Sequence, residues 1–175
     1  MRTVILALCA LLLLCLAGCG SNPDEGPATQ VDVMHIRVTL PGEDWHKASD
    51  GKIGLLDSER WENGDGTIYF RVATDPDEVL EYPAFIDADL VNDYIDLMEF
   101  PSSTIIKDTS IMGLSAVRIE SVLPDNEAYH TIDYVFLRGL QHYYVSAGAT
   151  NAAWNAGAGD TVYVILDSLQ VATDK

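Results

Sequence analysis

Apolar and polar positions alternate in several short stretches, which is the period of strands with one buried face. Met34, Ile36, Val38 and Leu40 alternate with His35, Arg37 and Thr39, and Pro41-Gly42 closes that stretch. The mixed segment Glu43 to Glu62 predicts one further short strand near Lys52 to Leu56. Asn63-Gly64-Asp65-Gly66 is a strong turn signal, after which Ile68, Phe70 and Val72 alternate with polar or amphipathic neighbours up to Asp75-Pro76-Asp77. Thr104 to Lys107 and Ala116 to Leu123 flank a turn at Met112-Gly113, and Pro124-Asp125-Asn126 makes the next turn. Tyr129 to Arg138 and Gln141 to Ala147 then predict a hairpin about Gly139-Leu140. A two-residue turn there sets Phe136 opposite Tyr143, Tyr134 opposite Val145 and Ile132 opposite Ala147. These apolar pairs share one face, whereas a slip by one would bring Asp133 and His142 to it.

Two segments carry the helical period instead. From about Ala84 to Phe100, Ile86, Leu90, Tyr94 and Leu97 make an apolar stripe, with Asp89, Asn92, Asp93, Asp96 and Glu99 on the other side; Pro101 stops it. Near the end, Asp160 opens a short helix with Val162, Ile165, Leu166 and Leu169 on one stripe, after an Ala-rich turn at Asn151 to Gly159. Strands, a helix, consecutive strands and a helix predict an α+β domain: an antiparallel sheet of about six strands with helices packed on it.

The first residues follow another rule. Met1-Arg2-Thr3 carries one positive charge and Val4 to Leu16 is an unbroken run of 13 apolar residues. That is the length of a signal h-region and short of the roughly 20 residues a spanning helix needs. Leu16-Ala17-Gly18-Cys19 follows at once and resembles the lipobox of bacterial lipoproteins, in which the cysteine is acylated and the chain is cleaved just before it. The expected organisation is a signal peptide over 1–18, a flexible tether over 19–30 (GSNPDEGPATQ after Cys19), and a single domain over 31–175. The resemblance implies lipidation at Cys19 and an address in the cell envelope. With Gly20 next, rather than an aspartate, the anchor is expected in the outer membrane facing the periplasm of a two-membrane host, and otherwise on the outer face of the plasma membrane. Cys9 and Cys15 lie in the leader, so the folded domain is expected to hold no disulfide, thiolate metal site or cysteine nucleophile.

Charge narrows the partners. Asp and Glu number 27 against 10 Lys and Arg, a formal net charge of −17, and loss of the leader removes only Arg2 from the cations. Such a surface repels phosphate backbones, so nucleic acid is excluded as a partner. His35, His46, His130 and His142 show no metal-ligand spacing, Gly113-Leu114-Ser115-Ala116 lacks the closing glycine of a nucleophile elbow, and Gly64-Asp65-Gly66 lacks the lysine of a phosphate loop. No cofactor, metal or catalytic residue is therefore expected. Two acidic groups, Asp57, Glu59, Glu62 and Asp65 around a turn, and Asp89, Asp93 and Asp96 on a helix, read first as solvated faces and second as weak cation sites. Tyr129, Tyr134, Tyr143 and Tyr144 crowd one hairpin and read as sheet packing.

The order of these marks is itself informative. The early strand with Leu40-Pro41-Gly42-Glu43-Asp44-Trp45, the mid-chain helix, Ile111-Met112-Gly113-Leu114-Ser115-Ala116 entering a strand, the long hairpin, and Val164-Ile165-Leu166-Asp167-Ser168-Leu169 together resemble the PsbP-like superfamily over about Val33 to Gln170. The resemblance implies an antiparallel sheet between helices (an α/β/α sandwich), a buried Trp45, and no catalytic residues; it carries no function by itself. The expectation is thus a non-enzymatic, lipid-anchored module that binds or helps assemble another envelope component. The alternative is a small hydrolase or a ligand- or cation-binding protein using an acidic cleft.

Overall fold

A computed structural model describes residues 28–53, 56–75, 87–89, 105–122 and 128–172. Among them the strands make two antiparallel sheets. β1 (Thr29–Val33), β2 (Ile36–Leu40) and β10 (Gln170–Val171) form a small sheet in the order β1-β2-β10. β3 (His46–Ile53), β4 (Leu56–Glu62), β5 (Ile68–Thr74), β6 (Ile105–Ile111), β7 (Leu114–Val122), β8 (Tyr129–Arg138) and β9 (Gln141–Thr150) form a seven-stranded sheet in the order β3-β4-β5-β9-β8-β7-β6. A short helical segment follows: α1 (Asn151–Ala153), a π-helical turn at Trp154–Ala158, and α2 (Gly159–Asp167).

This overturns the expected α+β sandwich. Strands take 62% of the described residues, in two sheets of three and seven strands with little helix, rather than one six-stranded sheet with helices packed on it. The helix expected over Ala84 to Phe100 lies outside the described residues except for 87–89, of which Ala88 and Asp89 are helical and Asp87 is not.

Three local features explain the extra strands. The strand read from Met34 begins only at Ile36, and Met34 (φ 49°) and His35 (φ 66°) are the turn that joins β2 to an unforeseen strand before it, β1. Both residues sit in the left-handed region, where a two-residue turn prefers Asn or Gly, so nothing in their identity announces it. The segment near Lys52 to Leu56 straddles the end of β3 and the start of β4. β3 shows no alternation because every position but Ile53 is exposed. It is an edge strand carrying His46, Lys47, Asp50 and Lys52 and an irregular register between Lys47 and Ser49, the devices that keep an edge from pairing with another chain.

Elsewhere the pattern holds. Phe136 pairs with Tyr143, Tyr134 with Val145 and Ile132 with Ala147. β6 and β7 turn at Met112-Gly113, both with positive φ. Val162, Ile165 and Leu166 are buried from α2, and Leu169, just past its end, is buried with them. The core lies between one face of the large sheet (Phe70, Val72, Ile132, Phe136, Tyr143, Val145, Ala147 and Ala149) and a layer made of Val33, Ile36, Val38 and Leu40 with α2. Fully burying each such aliphatic or aromatic side chain contributes roughly 1.5–3 kcal/mol. Ser168 ties the layer together, its Oγ donating to Ile165 O at 2.7 Å and accepting from Thr39 N at 2.9 Å. Trp45 is buried, donating through Nε1 to Pro41 O at 2.6 Å.

Candidate functional site

The opposite face of the seven-stranded sheet carries polar side chains where strand alternation puts them, and the ladder lines them up. Arg60 of β4 is directly opposite Arg71 of β5, Arg71 opposite Ser146 of β9, Ser146 opposite Asp133 of β8, and Asp133 opposite Ile119 of β7. The neighbouring row runs Glu62, Tyr69, Gly148, Thr131, Ser121. Directly opposed side chains on one face stand close enough to interact, so the two rows form one polar patch.

Its centre is buried. Asp133 and Ser146 each retain 2% of their accessible surface. Ser146 Oγ donates to Asp133 Oδ1 at 2.5 Å, Thr131 Oγ1 donates to Asp133 Oδ2 at 3.3 Å, and the Tyr69 hydroxyl shares a 2.8 Å hydrogen bond with Ser146 Oγ. Burial pushes the Asp133 carboxyl up to about 6, against the pull of the Ser146, Tyr144 and Thr131 hydroxyls and of the Arg71 charge. Burial, reinforced by the Asp133 charge, raises the Tyr69 and Tyr144 phenols and keeps both neutral at ordinary pH. Tyr69 reaches Ser146 because Gly148 has no side chain: a Cβ there would stand 2.9 Å from the Tyr69 ring and 2.7 Å from His130 O. The Arg60 guanidinium lies 4.3 Å from the Tyr69 ring centroid and 5.3 Å from that of Tyr129, which itself meets Tyr69 edge to face.

The acidic residues singled out by sequence do not converge. Asp57 and Glu59 project from one side of β4 and Glu62 from the other, and each has a basic neighbour: Lys52 at 3.6 Å, Lys47 at 2.8 Å and Arg60 at 2.6 Å respectively. Asp65 belongs to the turn, accepting from the Thr67 hydroxyl at 2.6 Å and amide at 3.0 Å, and these bonds hold its carboxyl below the ordinary range. It lines, with Glu43 and Asp44, a cleft of about 530 Å³ between residues 41–45 and 63–65. A depressed carboxyl is the reverse of what a general acid at neutral pH needs. With these carboxylates engaged, millimolar calcium is expected to leave the melting temperature unchanged; a rise with calcium concentration would show a site after all. Asp89 is exposed, and Asp93 and Asp96 lie outside the described residues.

The histidines are dispersed. His35 is in the β1–β2 turn and His46 on the exposed edge strand. His130 stacks on Trp154 at 3.6 Å and lies 3.0 Å from Glu120, and His142 Nδ1 lies 2.7 Å from Asp75 Oδ2. Among the described residues no three His, Cys, Asp or Glu side chains gather as metal ligands. Of the tyrosines, Tyr143 is buried in the main core, stacked on Phe136, whereas Tyr144 belongs to the polar face.

The architecture has relatives among solved structures. The solution structure of cyanobacterial PsbP (CyanoP) from Synechocystis sp. matches with a TM-score of 0.56 at 11% identity, covering 88% of this chain and 97% of that one. The fold is PsbP-like. A crystal structure from Bacteroides thetaiotaomicron shares it with a TM-score of 0.51 at 13% identity, over 86% of this chain, which spans 50% of that protein's length. At such identities the likeness concerns the PsbP-like fold alone. No protein-family model matches the chain, and no curated protein matches it.

Proposed function

We propose that this chain is a lipid-anchored protein of a bacterial cell envelope, acylated at Cys19, whose PsbP-like domain binds or helps assemble another envelope component without catalysing a reaction. The observation that carries the reading is the placement of Leu16-Ala17-Gly18-Cys19 directly after the apolar run Val4 to Leu16. Acylation needs a thiol at that point, and the small residues ahead of it let the chain pass the peptidase. Each buried CH₂ of an acyl chain contributes about 0.8 kcal/mol, so two or more chains hold the protein on a bilayer durably. The tether leaves the acidic domain free to meet a partner beside the membrane.

The test is metabolic labelling with palmitate followed by membrane fractionation. Wild type is expected to incorporate label and to sediment with membranes, while Cys19→Ser loses the label. Equal labelling of both would remove the proposed address. The binding role is tested separately, by crosslinking in intact envelopes and recovery through the domain. Recovery of the chain alone, with no crosslinked species above background, would count against it.

A further inference from the structure

We propose that the end of the domain bearing Leu140 rests in the surface of a lipid bilayer, its apolar turns seated among the headgroups. The inference rests on the anchor proposed at Cys19. Three turns and the start of β4 meet at that end. Arg138 Nη1 donates to His35 O at 3.4 Å, which brings the β8–β9 turn (Gly139-Leu140) to the β1–β2 turn (Met34-His35). Pairing of Ala116 with Phe136 runs the β6–β7 turn (Met112-Gly113) to the same edge. Thr74 is opposite both Asp57 and Tyr143, so β4 starts there too, from the apolar pair Ile53–Leu56.

Turn positions ordinarily hold Gly, Asn, Asp, Ser or Pro. Here they hold Met34, Met112 and Leu140, and both methionines occupy left-handed backbone that Asn or Gly adopts at less cost. Met34 and Met112 are only partly buried, and Leu140 keeps 83% of its accessible surface, so core packing does not account for it. The other end of the same sheet follows the ordinary rule. Thr150 N donates to Thr67 O at 2.9 Å, which places Asn63-Gly64-Asp65-Gly66 at the far end of β9, beside the cleft with Glu43 and Asp44. Folding requires turns at both ends and apolar ones at neither.

A bilayer fits the Leu140 end on three grounds. Exposed apolar side chains beside a cation suit the boundary between headgroups and acyl chains. Arg138 is that cation: it bonds a backbone oxygen and pairs with no carboxylate among the described residues, which leaves it for a lipid phosphate. The acidic cleft lies at the opposite end, away from the headgroups. Reach is sufficient as well. β1 separates Thr29 from the tip by 5 residues, about 17 Å, and the chain from Cys19 to Thr29 spans up to about 33 Å. The anchor keeps the bilayer at high effective concentration, so a weak contact is enough.

The test uses the mature lipidated chain in phosphatidylcholine vesicles, with a fluorophore on Ser115→Cys at this end or on Glu43→Cys at the other, both exposed positions. Cys9 and Cys15 leave with the leader and Cys19 is acylated, so the introduced thiol alone is labelled. A nitroxide-labelled lipid is expected to quench the Ser115→Cys probe about threefold more than the Glu43→Cys probe, and Leu140→Ser to halve that quenching. Leu140 is exposed enough for the variant to fold normally. Vesicle flotation reads the anchor separately. Flotation with equal quenching at the two positions, or quenching indifferent to Leu140→Ser, would overturn the tip contact and leave the anchor standing. Failure to float would remove the anchor and the contact that depends on it. A Ser115→Cys probe shielded in isolated envelopes but unquenched in pure lipid would overturn the bilayer as occupant in favour of a protein.

Discussion

Gly148→Ala is expected to destabilise the domain by about 3 kcal/mol, the upper part of the usual range for forcing a methyl into a packed interior. A Cβ at that position would stand 2.7 Å from His130 O, 2.9 Å from Tyr69 Cε1 and 3.3 Å from Thr131 Cα. Two of these three atoms are backbone of the paired strand β8, which cannot swing aside as a flexible side chain does. The third is the ring that carries the Tyr69 hydroxyl to Ser146, so the methyl also loosens the buried network. Urea unfolding measures the effect as a lower midpoint with an unchanged m-value. Gly51→Ala on the exposed edge strand, where an added Cβ meets nothing within 4 Å, is the control and is expected to change stability by less than about 0.5 kcal/mol. Equal effects at the two glycines would show that backbone entropy, not crowding, dominates.

The second large effect is a dependence on pH with an unusual sign. Most carboxylates that gain partners on folding have lowered values, and the stability they contribute is lost as pH falls. Asp133 is the reverse, raised from 3.8 to about 6 by burial. Its contribution is fully present below about pH 4, declines as pH rises, and is gone above about pH 6, a change of about 3 kcal/mol. Asp133→Asn has no proton to lose there. The stability difference between variant and wild type is therefore expected to shift by most of that amount in the variant's favour between pH 4 and pH 7. Because the remaining acids titrate alike in both proteins, the double difference isolates this group. A difference that stays flat across the interval would mean that Ser146, Tyr144 and Thr131 already hold the charged form as well as water does.

Where the sequence was informative, a local constraint made it so. The β8–β9 register could be read because a two-residue turn fixes the pairing and only one register puts Ile132, Tyr134 and Phe136 on a common apolar face. The α2 stripe could be read for the same reason, Val162, Ile165 and Leu166 at helical spacing, although Leu169, buried too, lies past the helix end. Met34-His35 could not, since its turn uses left-handed backbone at residues that seldom adopt it. Nor could β3, an edge strand with no buried face to alternate against, nor β10, two residues long and held by pairing with β2. The polar patch was hidden more deeply. Arg71 and Asp133 alternate with core residues and so look solvated, and only the pairing of β5 with β9 makes them near neighbours. The signal present was an aspartate facing away from the core in the middle of an apolar hairpin. Its burial depends on what covers that face.

That β5–β9 ladder also divides the large sheet into two meanders, β3-β4-β5 and β6-β7-β8-β9, each built from hairpins between consecutive strands. Each half can zip locally and fast, whereas the seam closes a long loop and is entropically the slow step. During folding β5 waits as an open edge until Gln141 to Thr150 has docked against it. A chain truncated before Gln141 keeps that edge exposed, so its fate is aggregation or capture by a chaperone.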